Sequence, residues 1–332
     1  MNISELQLSG KSLLKLSDLS DSQVHGLVDL AIAFKARKRA AEHLRAPLLK
    51  GRNICLVFQK SSTRTRCATA VAVRDEGGSA EYLGQGDIHF GKKESVADSA
   101  RVLGRMFDGI LFRGFSQKAV EDLAHFSGVP VWNGLTDEWH PTQVLADLQT
   151  IKESFGSLKG LTLAFVGDGR NNVSNSLMVG CAMAGINMVN VCPPELAPEK
   201  AVLDLALKAA KRNHCTVSVC HDPAEGVKGA NILYTDVWVS MGEEALFQER
   251  RALLSPYQIN MELVRKTGNL EGGKVIFLHC LPAFHDHNTD VAKECGALEV
   301  TDEVFESPFS KVFDEAENRM HTIKAMIVAS LA

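Results

Sequence analysis

Short apolar runs alternate with stretches of helical periodicity along most of the chain. Asn53-Ile54-Cys55-Leu56-Val57-Phe58 is rich in β-favouring residues and reads as a buried parallel strand. Cys67 to Glu76 reads as a helix stopped by Gly77. Ser95 caps a further helix on which Val96, Ala100, Leu103 and Phe107 share a face. Ile110-Leu111-Phe112 follows as a strand, Ser116 to Phe126 as an amphipathic helix ended by Gly128, and Val129 to Trp132 as the next strand. Thr142 to Lys152 is predicted as a helix, with Val144, Leu148 and Ile151 on one side, bridging to a second domain. There the pattern restarts with Leu161 to Val166. Further strands are expected at Met188 to Val191, Thr216 to Val219, Ile232 to Thr235 and Val275 to Leu278. A last helix runs from about Glu315 to Leu331. Such alternation predicts an α/β fold of parallel sheets with right-handed crossovers. Residues 1–50 read as helical, and Lys35, Arg37, Lys38 and Arg39 as a solvated helix end.

Composition narrows the class without naming it. The 332 residues fit two domains of ordinary size, and 45% apolar with 23% charged residues is typical of soluble globular chains. A net charge of −4 argues against wholesale nucleic-acid binding. The eight cysteines form no Cys-x-x-Cys pair and several sit in apolar runs, as reduced thiols do. No apolar run approaches the ~18 residues of a membrane span, and no signal peptide is evident. A reducing cytoplasm is the expected setting.

Candidate chemistry sits at the ends of the predicted strands. Ser61-Ser62-Thr63-Arg64-Thr65-Arg66 occupies a strand-to-helix turn, where free amides and the helix dipole favour an anion. Hydroxyls and guanidinium forks add donors matched to phosphate oxygens, whereas capping alone explains neither Arg64 nor Arg66. There is no glycine before Lys60, so this is not a P-loop. Arg113 ends one strand, and His140-Pro141-Thr142-Gln143 follows another. Asp236-Val237-Trp238-Val239-Ser240-Met241-Gly242 and His279-Cys280-Leu281-Pro282 follow strands of the second domain. In open α/β sheets the carboxyl ends of the strands are where ligands bind. Gly167-Asp168-Gly169-Arg170-Asn171-Asn172 lacks the third glycine of a dinucleotide fingerprint, which speaks against an NAD-dependent dehydrogenase.

Taken together, these four separated motifs resemble the ornithine branch of the aspartate/ornithine carbamoyltransferase family, and the match extends to Glu317-Asn318-Arg319-Met320-His321 in the final helix. The resemblance implies two doubly wound domains, each a central parallel sheet flanked by helices. Residues 1–150, completed by a C-terminal helix at 315–332, would bind carbamoyl phosphate, and 151–314 would bind ornithine. Ser62, Thr63, Arg64, Thr65, His89, Arg113, His140, Gln143 and Arg319 would hold carbamoyl phosphate. Asn172, Asp236, Ser240 and Met241 would bind ornithine, with Cys280 and Leu281 at the reacting centre. The family forms trimers, in which the loop carrying His89 reaches a neighbour's site; larger multiples of the trimer are open. Two departures stand out: the family has glutamate where Gln59 stands and glutamine where His89 stands. His89 still donates a hydrogen bond, but its charge varies near neutral pH.

The implied reaction is attack by the δ-amine of ornithine on the carbonyl carbon of carbamoyl phosphate, giving citrulline and phosphate. No metal or organic cofactor is needed, because phosphate is already a good leaving group. Arg64, Arg113 and Arg319 suit the departing phosphate, and His140 the developing oxyanion. An alkyl amine of pKa ~10.4 arrives protonated, so Cys280 is the candidate to take or relay that proton, with Asp236 pairing an ammonium. The polar stretch Glu243 to Arg251 reads as a lid. Another amine acceptor, such as putrescine, or a nonenzymatic phosphate-binding module are the alternatives.

Overall fold

Six residues of the first apolar run become β1, Asn53–Phe58, buried at every position after the first. The computed structural model describes residues 3–88, 90, 93–239 and 244–331. It divides into two units, Met1–Gln149 with Glu317–Ala332, and Thr150–Ala316.

The first unit opens with α1 (Asp21–Arg39), set by a capping box in which Ser20 accepts from the Gln23 amide and Gln23 from the Ser20 amide. After β1 come α2 (Thr63–Asp75), β2 (Ser79–Leu83), α3 (Val96–Met106), β3 (Gly109–Arg113), α4 (Gln117–Ser127), β4 (Val131–Leu135) and α5 (Pro141–Phe155). The sheet is parallel, in the order β2-β1-β3-β4. Its core places Cys55, Val57, Ile110, Phe112 and Val131 against Ala100, Val120 and Leu123 of the helices.

The second unit runs β5 (Thr162–Val166), α6 (Asn172–Ala184), β6 (Asn187–Val191), α7 (Lys200–Asn213), β7 (Val217–Cys220), α8 (Pro223–Gly226), β8 (Ile232–Thr235), α9 (Phe247–Leu254), α10 (Met261–Lys266), β9 (Ile276–His279), α11 (Asp290–Cys295) and α12 (Asp302–Phe305). Its sheet is also parallel, in the order β7-β6-β5-β8-β9. The last helix, α13 (Val312–Leu331), starts in this unit and from Glu317 belongs to the first.

The alternation therefore predicts the class of fold correctly, with local departures. β2 has no counterpart in the sequence reading, because it is an edge strand whose Ser-Ala-Glu-Tyr-Leu run is exposed or half-buried throughout. α2 starts four residues before the predicted Cys67, because Ser62 caps it by accepting the Thr65 amide at 3.2 Å. β4 extends through Asn133, whose buried amide donates to the Leu14 carbonyl and to Gln117. α13 starts at Val312 rather than Glu315.

Candidate active site

Strand order creates one crevice in each sheet. In the first unit the order reverses between β1 and β3, and in the second between β5 and β8. At such switch points adjacent loops leave in opposite directions and open a ligand site.

At the first switch point, β1 delivers the Ser62–Arg66 run onto the first turn of α2, and β3 ends on Arg113, which is 8% exposed. The α2 start adds the positive end of its dipole. Arg319 arrives from α13. Its Nη2 donates to Thr65 Oγ1 at 2.9 Å and its Nη1 to Gln143 Oε1 at 3.0 Å. The same Nη1 lies 3.5 Å from His140 Nε2. Gln143 is itself aimed by Asp147, whose Oδ1 accepts from Gln143 Nε2 at 2.8 Å. Burial holds His140 well below the usual imidazole range, and Arg319, Arg113 and Arg64 push the same way. His140 is therefore held neutral in a field set by three guanidiniums. Ser62 and Arg64 are half-buried, and Thr63 is exposed at the helix start.

The Ser62–Arg66 turn is supported from behind. Lys60, almost fully buried, pairs with Asp137 at 2.5 Å and lies over the Phe115 ring. Gln59 accepts the Phe115 amide through Oε1 at 3.4 Å, a role a glutamate oxygen would also fill.

At the second switch point, Asp236 directly follows β8 and Asn171 caps α6 after β5. Asp236 Oδ2 accepts from Asn171 Nδ2 at 2.9 Å, and Oδ1 accepts from the Cys280 thiol at 3.1 Å and from the Val237 amide at 2.9 Å. Asn172, the residue read from the sequence, is half-buried as the first residue of α6. Asn171 was missed, although an asparagine opening a helix is a cap signal. Cys280 follows β9, and Leu281 has φ +58, in the left-handed region. His279, fully buried, accepts the Leu281 amide on Nδ1 at 2.9 Å and sits 3.2 Å from Glu299 Oε1 through Nε2. Glu299 and Asp147 were also missed. A lone acid inside the apolar run Leu298-Glu299-Val300 was the available signal for the first.

The β5–α6 turn that carries Asn171 is tightly built. Asn190 Nδ2 donates to the Gly169 carbonyl at 3.1 Å, and Arg250 of α9 pairs with Asp168 at 3.0 Å. Part of the predicted lid, Glu243 to Arg251, is thus helical and anchored. His89, Ser240 and Met241 lie outside the described residues. Among the described residues, two groups place side-chain atoms of ligand type within 4.8 Å of one another: Asp236, His279 and Cys280, and His285, Asp302 and Glu306. In the first, both imidazole nitrogens are engaged by Glu299 and the Leu281 amide.

Two parallel-sheet units with polar groups at both switch points define a ligand-binding α/β protein. Two family models match them: the aspartate/ornithine carbamoyltransferase carbamoyl-P binding domain over residues 11–153, and the Asp/Orn binding domain of the same family over residues 159–330. The chain belongs to the aspartate/ornithine carbamoyltransferase family. It is 56% identical to an ornithine carbamoyltransferase of Streptococcus pyogenes serotype M5 over 329 residues, covering 97% of this chain and 96% of the relative. A protein of S. pyogenes serotype M1, called "Ornithine carbamoyltransferase, catabolic", matches equally. The ornithine carbamoyltransferase structure from Pyrococcus furiosus superposes with a TM-score of 0.88 at 39% identity, covering 98% of each chain. The anabolic enzyme of Campylobacter jejuni superposes at 0.85 with 32% identity, covering 96% of this chain and 97% of that one.

Proposed function

We propose that this protein transfers the carbamoyl group of carbamoyl phosphate to the δ-amine of L-ornithine, releasing citrulline and phosphate in arginine metabolism. The observation that carries this reading is Arg319. It reaches from the last helix to Thr65 on the phosphate turn, 254 residues away, and to Gln143 beside His140. Together with Arg64 and Arg113 it gives a dianionic leaving group the charge that its desolvation demands.

In the first unit, Ser62, Thr63 and Thr65 supply hydroxyl donors to phosphate oxygens. His140, kept neutral by burial and by the three arginines, donates to the carbonyl oxygen as negative charge develops there. Gln143, oriented by Asp147, distinguishes the carbamoyl amide from a simple acyl group. In the second unit, Asp236 pairs an ammonium of ornithine, aided by Asn172, Ser240, Met241 and Leu281. The Cys280 thiol, already hydrogen-bonded to Asp236, relays the proton that the attacking nitrogen must lose, passing its own hydrogen to Asp236 Oδ1 as it takes the one from nitrogen. Carbamoyl phosphate binds first and ornithine second, and His89 contacts carbamoyl phosphate from a neighbour's loop in a homotrimer. Among the described residues no helix is long and apolar enough to cross a membrane, in keeping with a cytoplasmic setting.

A colorimetric citrulline assay with carbamoyl phosphate and ornithine tests the reading, with putrescine and aspartate as rival acceptors. Turnover with ornithine alone supports it. A preference for putrescine would instead assign another acceptor, and no product with any amine would leave only a phosphate-binding module.

A further inference from the structure

The Cys280 turn rests on a buried construction that no step above uses. His279 ends β9, and its amide donates to Glu315 Oε2 at 2.9 Å. Tyr234 holds the other Glu315 oxygen at 3.1 Å. The ring is engaged at both nitrogens. Because the Leu281 amide donates to Nδ1 at 2.9 Å, that nitrogen carries no proton, so the hydrogen sits on Nε2 and points at Glu299 Oε1, 3.2 Å away. The same Glu299 oxygen accepts the Phe284 amide at 2.7 Å, and the Leu298 amide donates to the Phe284 carbonyl at 2.8 Å. One carboxylate thus ties together both ends of the turn from His279 to Phe284. Between them Leu281 holds its left-handed backbone, which a leucine adopts only when its surroundings impose it. Cys280, one residue earlier, meets Asp236 at 3.1 Å.

We propose that His279 and Glu299 are a positioning pair for Cys280: the imidazole, locked in one tautomer, fixes the Leu281 amide and hence the thiol against Asp236, and protonation of Nδ1 releases the turn. This rests on the role given to Cys280 above. An imidazolium has a hydrogen on each nitrogen, so Nδ1–H would face the Leu281 N–H, donor against donor. The charged and titratable groups facing the ring are Glu299, Glu315 on α13 and Asp236 beyond β8. Burial pulls the proton affinity of His279 down. The hydrogen bond and charge of Glu299, with Asp236 and Glu315, outweigh burial and leave it raised above the ordinary imidazole value. Release therefore begins at a higher pH than it would for a free histidine, and kcat falls on the acid side.

Three variants separate the parts. His279→Asn places Oδ1 where Nδ1 stands, so it still accepts the Leu281 amide but cannot titrate. It should keep kcat within about 3-fold at alkaline pH and lose the His279 component of the acid limb. Glu299→Gln still accepts both donors but lacks the charge, so the acid limb should move to lower pH. His279→Ala should lower kcat about 10- to 100-fold at every pH, the range measured for partners that orient reactive ligands, with KM for carbamoyl phosphate unchanged. Hydrogen exchange of peptides spanning Leu281 needs no substrate: its protection should fall with acid in the wild type and hold in His279→Asn. A wild type that makes no citrulline would sink the proposed function and leave this exchange result to decide the positioning role. An acid limb shared by the wild type, His279→Asn and Glu299→Gln would overturn it, as would Leu281 protection that ignores His279. Thermal melts establish that each variant is folded. Glu299→Gln, nearly isosteric, decides the matter alone where His279→Ala does not fold.

Discussion

Cys280 and Arg319 show how much a single side chain depends on partners far from it in sequence. A cysteine after a strand is by composition a small core residue. Here it is half-exposed and donates to Asp236, the contact on which the proposed proton relay rests. Cys280→Ala should leave carbamoyl-phosphate binding intact by calorimetry and lower kcat about 100-fold, as removal of a general acid–base group does. Unchanged turnover would take Cys280 out of the mechanism. Arg319 is an arginine on an amphipathic helix, a pattern that usually faces water, yet it is 2% exposed with both terminal guanidinium nitrogens engaged. A lysine presents one compact charge in place of a fork. Arg319→Lys should therefore lose about 1.5–3 kcal/mol of carbamoyl-phosphate binding, roughly a 10- to 150-fold rise in KM, with KM for ornithine nearly unmoved. Equal rises for both substrates would contradict the assignment.

At the level of elements, the β5–α6 turn carries Asn171, which holds Asp236 of the proposed acceptor site. Gly169 is required there for space. A Cβ on it would lie 2.6 Å from the Leu196 carbonyl, 2.7 Å from Cys192 Sγ and 2.8 Å from Asn190 Oδ1. Two of those contacts are core side chains and one is backbone, so the turn itself must shift. Gly169→Ala should lower stability by about 1–3 kcal/mol and raise KM for ornithine, because Asn171 then loses its register on Asp236. Carbamoyl-phosphate binding, built in the other unit, should not change. Denaturant titration and the two KM values check this together. The sequence showed this turn as a broken dinucleotide fingerprint, and the structure shows why its middle glycine matters without any nucleotide. α4 was legible because its buried residues Gln117, Val120, Leu123 and Ser127 repeat every three or four positions, and α5 was legible from the spacing of Val144, Leu148 and Ile151, although it is buried all round from Pro141 to Ile151. β2 was not, since an edge strand with one wet side carries no continuous apolar run.

For the whole molecule, buried histidines set how stability responds to acid. Burial lowers His321 to about 4, and Lys324 and Lys35 push the same way while Glu317 opposes. His140 is lowered too, chiefly by burial. For both, the unfolded chain binds the proton more readily, so stability is full above about pH 6.5 and is lost as pH falls below it. His279 has the opposite sign: its raised affinity adds stability at low pH that disappears as pH rises through its folded value. Two histidines against one leave the acid side weaker. Denaturation at about pH 7.5 and 5 should show a loss in the wild type that shrinks by about 2 kcal/mol in His321→Gln, from 1.5 pH units at ~1.4 kcal/mol each. An identical loss in both proteins would exclude His321 as the source. What the sequence alone determined was whatever is written in neighbouring residues: the α/β alternation, the phosphate turn at Ser62–Arg66, and the motifs at the strand ends. Only the tertiary structure decided which distant groups meet. Arg319 on Thr65, Asn171 on Asp236 and Glu299 on His279 join segments tens to hundreds of residues apart. The physical reason is that local pattern follows from backbone geometry over a few residues. Partnership across the chain follows from strand order, which sets the switch points, and from the need of each buried charge for a partner.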